Sequence, residues 1–348
     1  MRPLIGALAM LVALSALASC PAQDLDPSKF PDAWWLPHGS GVDAGAGPDA
    51  TAAGPDAQAP TSDAAAQWLP QPPQGLTSYQ LNGIAGVDTT LVAVGDKGLI
   101  LSWTGSSWAK ATPAPNDLKA VCFTSATSGW FVGSGGYAAQ WSGSPATLKP
   151  AVTGSSADLR AVAVLGKQGW AAGAAGARWS YDTQAKTWAD HSTGALDVVG
   201  MWSSGTSIWA AASDGKIFQI DAAGTWTLAA STPYTLFSVF GFSDEDLWFA
   251  ADGTFLHGHK DGSGKMIFPF TPVPSGSEKL TWRVVWGAAP DDVWAAAKEK
   301  AFMHWNGSNW SQIQDFDGTT GNIIYGLWGT SALGTLAVGD SVALKLEP

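Results

Sequence analysis

The sequence predicts an all-β fold: a seven-bladed β-propeller, four strands per blade, in which an N-terminal strand completes the C-terminal blade. Three observations predict it. A short apolar motif recurs as VAVG, WFVG, WAAG, WAAA, WFAA, WAAA and LAVG, starting at Val92, Trp130, Trp170, Trp209, Trp248, Trp294 and Leu336. The spacings between these starts are 38, 40, 39, 39, 46 and 42 residues, the length of a four-stranded blade. The composition fits short strands and tight turns, with 41 Gly and 20 Trp among 348 residues and only 14% charged residues.

The N-terminus comes first in chain order. Met1 and Arg2 precede an apolar run from Leu4 to Leu17, too short to span a bilayer but suited to an export signal. The run ends in Leu17-Ala18-Ser19-Cys20, which resembles the lipobox of bacterial lipoproteins. That resemblance implies a signal peptide over 1–20 and acylation of Cys20. Two or more acyl chains make such an anchor stable. Pro21 stands where an inner-membrane retention signal resembles Asp, so the expected address is the outer membrane, on its periplasmic or cell-surface face.

Residues 21–66 are rich in Gly, Ala, Pro and Asp, with Gly-Pro-Asp-Ala at 47–50 and again at 54–57. Such a segment cannot bury enough apolar surface to offset its ordering entropy, so it reads as a disordered linker. A flexible coil of that length averages roughly 35–40 Å end to end.

The propeller is expected over 67–348. Its plainest unit is Val284 to Trp310, VVWGAAPDDVWAAAKEKAFMHWNGSNW. An apolar inner strand ends at Trp286, Pro290-Asp291-Asp292 turns the chain, and a second strand runs from Val293 to Ala297. Ala301 to Trp305 forms the third, and Asn306-Gly307 is a strong hairpin signal leading to Trp310. The seventh unit stops after three strands, and QWLPQPPQ at 67–74 carries the missing outer-strand Trp as Trp68. Pairing these two ends closes the ring and protects its edges. Pro70, Pro72 and Pro73 suit an outermost strand. Most of the Trp residues are expected wedged between blades, with indole N–H groups seeking partners.

The repeats resemble those of the bacterial neuraminidase (Asp-box) and photosystem II assembly factor-like families, most closely a form found in secreted bacterial lipoproteins. The likeness covers 67–348 and implies the fold more than any function. The Asp-box hairpin is only echoed, at Ser180-Tyr181-Asp182 before Trp188 and at Asp221 before Trp226. A sialidase resembles an arginine triad with a Tyr nucleophile. After signal removal only Arg160, Arg178 and Arg283 remain, two of them in one blade.

Other candidate chemistry reads as structural. His257 and His259 share a strand face, but His257 aligns with His304, so His at this step belongs to the repeat. Asp244-Glu245-Asp246 and Asp291-Asp292 occupy the same turn in consecutive blades, where Asp bonds backbone more readily than it gathers calcium. Cys122 is expected as a buried, inert thiol. No cofactor, metal or catalytic site is expected, and no nucleic-acid binding, given a formal net charge of -11 without a basic stripe.

The expected function is therefore a lipid-anchored, non-catalytic binding or assembly module of the cell envelope, with an envelope protein or glycan as partner. The alternative is a carbohydrate-active or glycan-binding propeller related to the neuraminidase-repeat group. Candidate partner-binding residues are Phe240, Trp286 and Trp328, with Trp202, at the ends of inner strands. Phe268 and Phe270 join them from a surplus segment between Lys260 and Lys279, since insertions in propellers map to loops.

Overall fold

The computed structural model describes residues 67–142, 148–150, 153–298, 301–313, 322–330 and 332–347. Cys20, the signal segment and the linker lie outside them. The described chain forms seven antiparallel sheets, six of them running from inner to outer strand in sequence order and the seventh taking its outer strand from the N-terminal end. The inner strands are Leu81–Val87, Leu118–Ser125, Leu159–Leu165, Val198–Ser203, Leu236–Ser243, Trp282–Ala289 and Ile324–Thr330. Each packs against the next and the last against the first, so the sheets close into a seven-bladed ring. Second strands such as Thr90–Gly95 and Asp246–Ala251 are buried on both faces beyond their first residue, because a blade covers each side of them.

The ring closes through the N-terminal strand. Gln67–Pro70 supplies the outer strand of blade seven, pairing Gln67 with Glu347 and Trp68 with Leu346. Trp68 is buried to 3% exposure, stacked on Phe302 of blade six at 4.5 Å and edge-on to Trp294 at 5.7 Å.

That contact is one instance of a rule along the ring. The second-strand Trp of one blade packs on the outer-strand aromatic of the next. Trp130 meets Trp188, Trp170 meets Trp226, Trp248 meets Trp310 and Trp294 meets Trp68. Trp209 meets Phe268, which fills this position in blade five. Trp108, Trp141, Trp209, Trp294 and Trp328 donate their indole N–H as expected. Those of Trp68, Trp103, Trp179, Trp202, Trp226, Trp248, Trp282 and Trp310 are buried with no hydrogen-bond partner among the described residues. Large apolar burial outweighs a lost neutral hydrogen bond there, and perpendicular ring pairs such as Trp248 with Trp310 soften the loss.

The glycine ending four of the seven motifs answers a close approach. A Cβ on Gly95, Gly133, Gly173 or Gly339 would sit 1.8, 1.9, 2.0 or 1.9 Å from the carbonyl oxygen of Gln80, Asp117, Asp158 or Ile323. Each carbonyl accepts the next backbone N–H, from Asp96, Ser134, Ala174 and Asp340, at 2.9–3.0 Å.

The echoed Asp-boxes are turn devices, as their residue types suggest. Asp182, Asp221, Asp261 and Asn306 each accept backbone N–H bonds from the tight turn that follows them. The surplus segment of blade five differs from the loop expected of it. Met266–Ile267 and Phe270–Thr271 both pair with the third strand, giving an outer strand in two pieces around Pro269. Proline has no N–H for the ladder, so the strand breaks there.

Candidate functional site: one mouth of the central channel

The seven inner strands share an irregularity that alternation does not foretell. Each ladder shifts register at the second residue, between Leu81 and Gly83, Leu118 and Ala120, Leu159 and Ala161, and likewise in the other four blades. A bulge re-aims the side chain that it carries. The bulged residues are Asn82, Lys119, Arg160, Val199, Phe237, Arg283 and Tyr325. All seven are half-buried and line a cavity of about 390 Å³ on the ring axis. They form its mouth, on the side where second strands turn into third strands.

Below the mouth the cavity wall is apolar apart from the Ser238 hydroxyl, which accepts the Val285 N–H at 3.1 Å. Ile84, Val162, Val239, Val285 and Leu327 are buried around it. The next level carries Trp202, Phe240 and Trp286, exposed to 5%, 3% and 2%, with Phe240 6.3 Å from each of the other two rings. Trp328 is half-buried and donates its indole N–H to Gly86 O across the blade seven to blade one junction at 3.1 Å. The cavity thus runs from the bulged residues to a level lined by aromatics that reach toward the neighbouring blades.

This settles where the expected site residues lie. Phe240 and Trp286 are packing residues with no exposed ring to offer a partner, and Trp328 stands partly open beside them. Phe268 is half-buried between Trp209 and Phe249, filling space that Gly258 leaves open. Phe270 alone of the five projects, at 61% exposure. The five do not form one surface. The acidic turns Asp244 to Asp246 and Asp291-Asp292 lie at the other ends of the inner strands, away from the open mouth. The carboxylates of Asp244, Asp246 and Asp292 are occupied. Asp244 accepts from Thr206, Ser207 and Trp209 of blade four. Asp246 holds His257 at 2.8 Å, and Asp292 holds both His304 and Trp294 at 2.8 Å. Each imidazole stacks on the Trp directly across the ladder, at 4.1 and 4.4 Å. The repeated His therefore belongs to an Asp–Trp–His cross-strand unit. Among the described residues no group of three His, Cys, Asp or Glu is placed to hold a metal. Cys122 is buried in the channel wall.

At the mouth most polar groups satisfy one another. Asn82 donates to Asp96 Oδ1 and to Leu118 O, both at 2.8 Å, and accepts from Gln80. Lys119 Nζ lies 2.9 Å from Asp96 and 3.8 Å from Asp117, and Arg160 pairs with Asp197 at 3.0 Å. Burial pushes the Asp96 carboxyl up, but the hydrogen bonds from Asn82 and Lys119, with the nearby lysine charges, outweigh it and hold the pKa below the ordinary value. Asp117, Asp158 and Asp197 each also accept a backbone N–H from the preceding blade, from Lys97, Gly135 and Ala175, so they tie neighbouring blades together at this rim.

Two groups stand apart. Arg283 lies over the Phe237 ring at 4.3 Å and has no carboxylate partner among the described residues; its Nε is buried and unpaired. Beside it, in blade seven, the Tyr325 hydroxyl has no hydrogen-bond partner among the described residues. Burial raises its pKa, so it stays protonated and able to donate. Arg178, the remaining arginine of the described residues, lies elsewhere, buried over Trp226 at 4.3 Å. The ring of bulged residues escaped the sequence reading because its members differ in every blade. The signal was present as the second residue of each inner strand: Asn, Lys, Arg, Val, Phe, Arg, Tyr.

No known protein family matches the sequence, and no curated protein matches it. Similar solved structures include one described as YCF48 bound to D1 peptide, with a TM-score of 0.65 and 17% identity over 81% of this chain and 95% of that one. YCF48 from Cyanidioschyzon merolae gives 0.64 and 16%, over 82% and 99% of the two chains. The WD40 β-propeller domain of Doa1 gives 0.61 and 11%, over 80% and 96%. At these identities the likeness is one of fold: the chain is a seven-bladed β-propeller.

Proposed function

We propose that this chain is a non-catalytic binding module of the cell envelope, anchored in the outer membrane through an acylated Cys20, and that it receives a protein partner at the open mouth of its channel. The observation that carries the reading is the cavity itself. It has a polar rim with unpaired donors over a mostly apolar interior, the form of a ligand site. A structure of similar fold is described as bound to a peptide, which supports a protein partner. The carbohydrate-active alternative needs a carboxylic acid with a raised pKa as proton donor. The mouth carboxylate that is displaced, Asp96, is displaced downward.

A photo-crosslinking residue at Val199, on the rim, tests the site in cells. A discrete envelope adduct, absent when the crosslinker sits at Thr227 on an outer strand, is expected. Adducts from Thr227 alone would overturn the reading. The anchor has its own test. Fatty-acid labelling of the wild type, lost in Cys20→Ala, is expected; an unlabelled wild type would refute the anchor.

A further inference from the structure

We infer that the open mouth recognises a single carboxylate carried on an apolar body, with Arg283 and Tyr325 as the recognition pair. The inference rests on the reading of the mouth as the binding site and adds the chemistry of what enters it.

Three observations lead there. First, Arg283 is the bulged cation of the mouth that no carboxylate neutralises among the described residues. Lys119 and Arg160 each have an aspartate within 3.0 Å. A guanidinium presents a planar fork of donors suited to a carboxylate, and stacking on Phe237 fixes the plane of that fork. Second, Tyr325 is the next member of the same ring and supplies a neutral O–H donor without adding charge. Third, the wall beneath this pair is mostly apolar, with the Ser238 hydroxyl bonded to Val285 N, so a ligand body following its head group inward meets chiefly hydrocarbon and rings.

Charge chooses a monoanion over a phosphate. Asp96, Asp117 and Asp197 stand around the same mouth and already compensate the other two cations. A dianion would meet one unpaired positive charge and these three carboxylates, with Asp158 at the same rim and Asp340 close enough to act on Tyr325. A monoanion can be matched by Arg283 alone. The free C-terminus of a peptide ending in an apolar residue has this chemistry, and so does a medium-chain fatty acid.

The experiment uses the full-length chain in detergent and follows the indole N–H signals of its tryptophans, Trp328 included, by NMR during titration. The probes are an acetylated tripeptide ending in leucine with a free carboxylate, the same tripeptide as its C-terminal amide, and octanoate. A hydrogen bond to a charged group predicts that the amide binds about ten- to a hundredfold more weakly than the acid. Arg283→Gln should abolish that preference, and Tyr325→Phe should reduce it severalfold. Arg160→Gln, which removes a cation already paired, should leave it in place. Octanoate binding as tightly as the tripeptide acid, with the same dependence on Arg283, would identify a free acid as the ligand; much weaker binding would identify a peptide terminus.

Equal binding of acid and amide to the wild type overturns the inference without any variant. So does a preference that survives Arg283→Gln, or no binding of either tripeptide. Crosslinking from Val199, repeated on the same chain, separates the two levels. If the envelope adduct persists while acid and amide bind alike, the carboxylate inference falls and the binding site stands. If the adduct is also missing, the site itself is wrong.

Discussion

Trp68→Ala is the sharpest test of how the ring holds together. The side chain is 3% exposed and sits on a four-residue strand that pairs on one side only, with Val342–Glu347. Its ring joins blade seven to blade six through Phe302 and Trp294. Truncating a well-packed core Trp costs about 3–5 kcal/mol. Here the loss has a ceiling, since once the short strand peels away the remaining contacts no longer weaken. We therefore expect about 3 kcal/mol, at the lower end of that range. The expected route is local release of Gln67–Pro70, which makes a distinct signature. Amides of Val342–Glu347 should lose protection from hydrogen exchange while those of blade three keep theirs. Leu69→Ala is the internal control: it lies on the same strand but 40% exposed, and surface changes stay within about 0.5 kcal/mol. Urea unfolding of both variants decides the matter. Equal midpoints for Trp68→Ala and Leu69→Ala would refute closure through this strand.

Four further outcomes follow from the same contacts. Gly95→Ala should cost about 2–4 kcal/mol in thermal melting, because its Cβ would lie 1.8 Å from Gln80 O, whereas Gly262→Ala, with nothing within 4 Å, should stay within about 0.5. Phe268→Ala should cost about 3 kcal/mol and Phe270→Ala less than about 0.5, which separates the wedge from the exposed ring. Asp244 is pushed up by burial but held low overall by hydrogen bonds from Ser207, Thr206, Ser204 and Trp209, and Asp96 is also held low. A lowered folded-state pKa gives stability that is full above the ordinary carboxylate value and is lost as pH falls through the lowered one. Melting temperature should thus hold down to about pH 4 and then fall, more shallowly in Asp244→Asn. At the alkaline end, burial raises Tyr79 to about 12, so its contribution is full below the ordinary tyrosine value of 10.0 and is lost as pH rises toward 12. Tyr79→Phe should flatten that limb in a melting-temperature profile from pH 9 to 12.

What could be read from the sequence was what repeats. The second-strand Trp residues and their spacing gave the blades. The seventh unit lacks an outer strand, which is why Trp68 could be assigned from a segment more than 270 residues earlier. Aligning His257 with His304 exposed a shared role that the structure completes with Asp246 and Asp292. The surplus in blade five was legible as a length but not as a form. Periodicity cannot reveal that Pro269 would split one outer strand in place, or that Phe268 would stand in for an outer-strand Trp.

The channel mouth shows why the rest stayed hidden. Strict alternation would send the second residue of each inner strand toward a neighbouring blade, and the bulge turns it to the axis instead. Residues facing inter-blade space are held small by contact. A Cβ on Gly83 would come 3.3 Å from Lys119 O, on Gly200 3.1 Å from Ser238 Cα, and on Gly326 2.8 Å from Ile84. No such neighbour confines the bulged position, so Asn, Lys, Val, Phe, Tyr and two Arg all fit there without altering the ladder around them. The fold thus constrains one residue of the strand and leaves the adjacent one free. A search for recurrence finds the constrained residue. The positions of Arg283 and Tyr325 are not needed for closure, and for the same reason no repeat announces them.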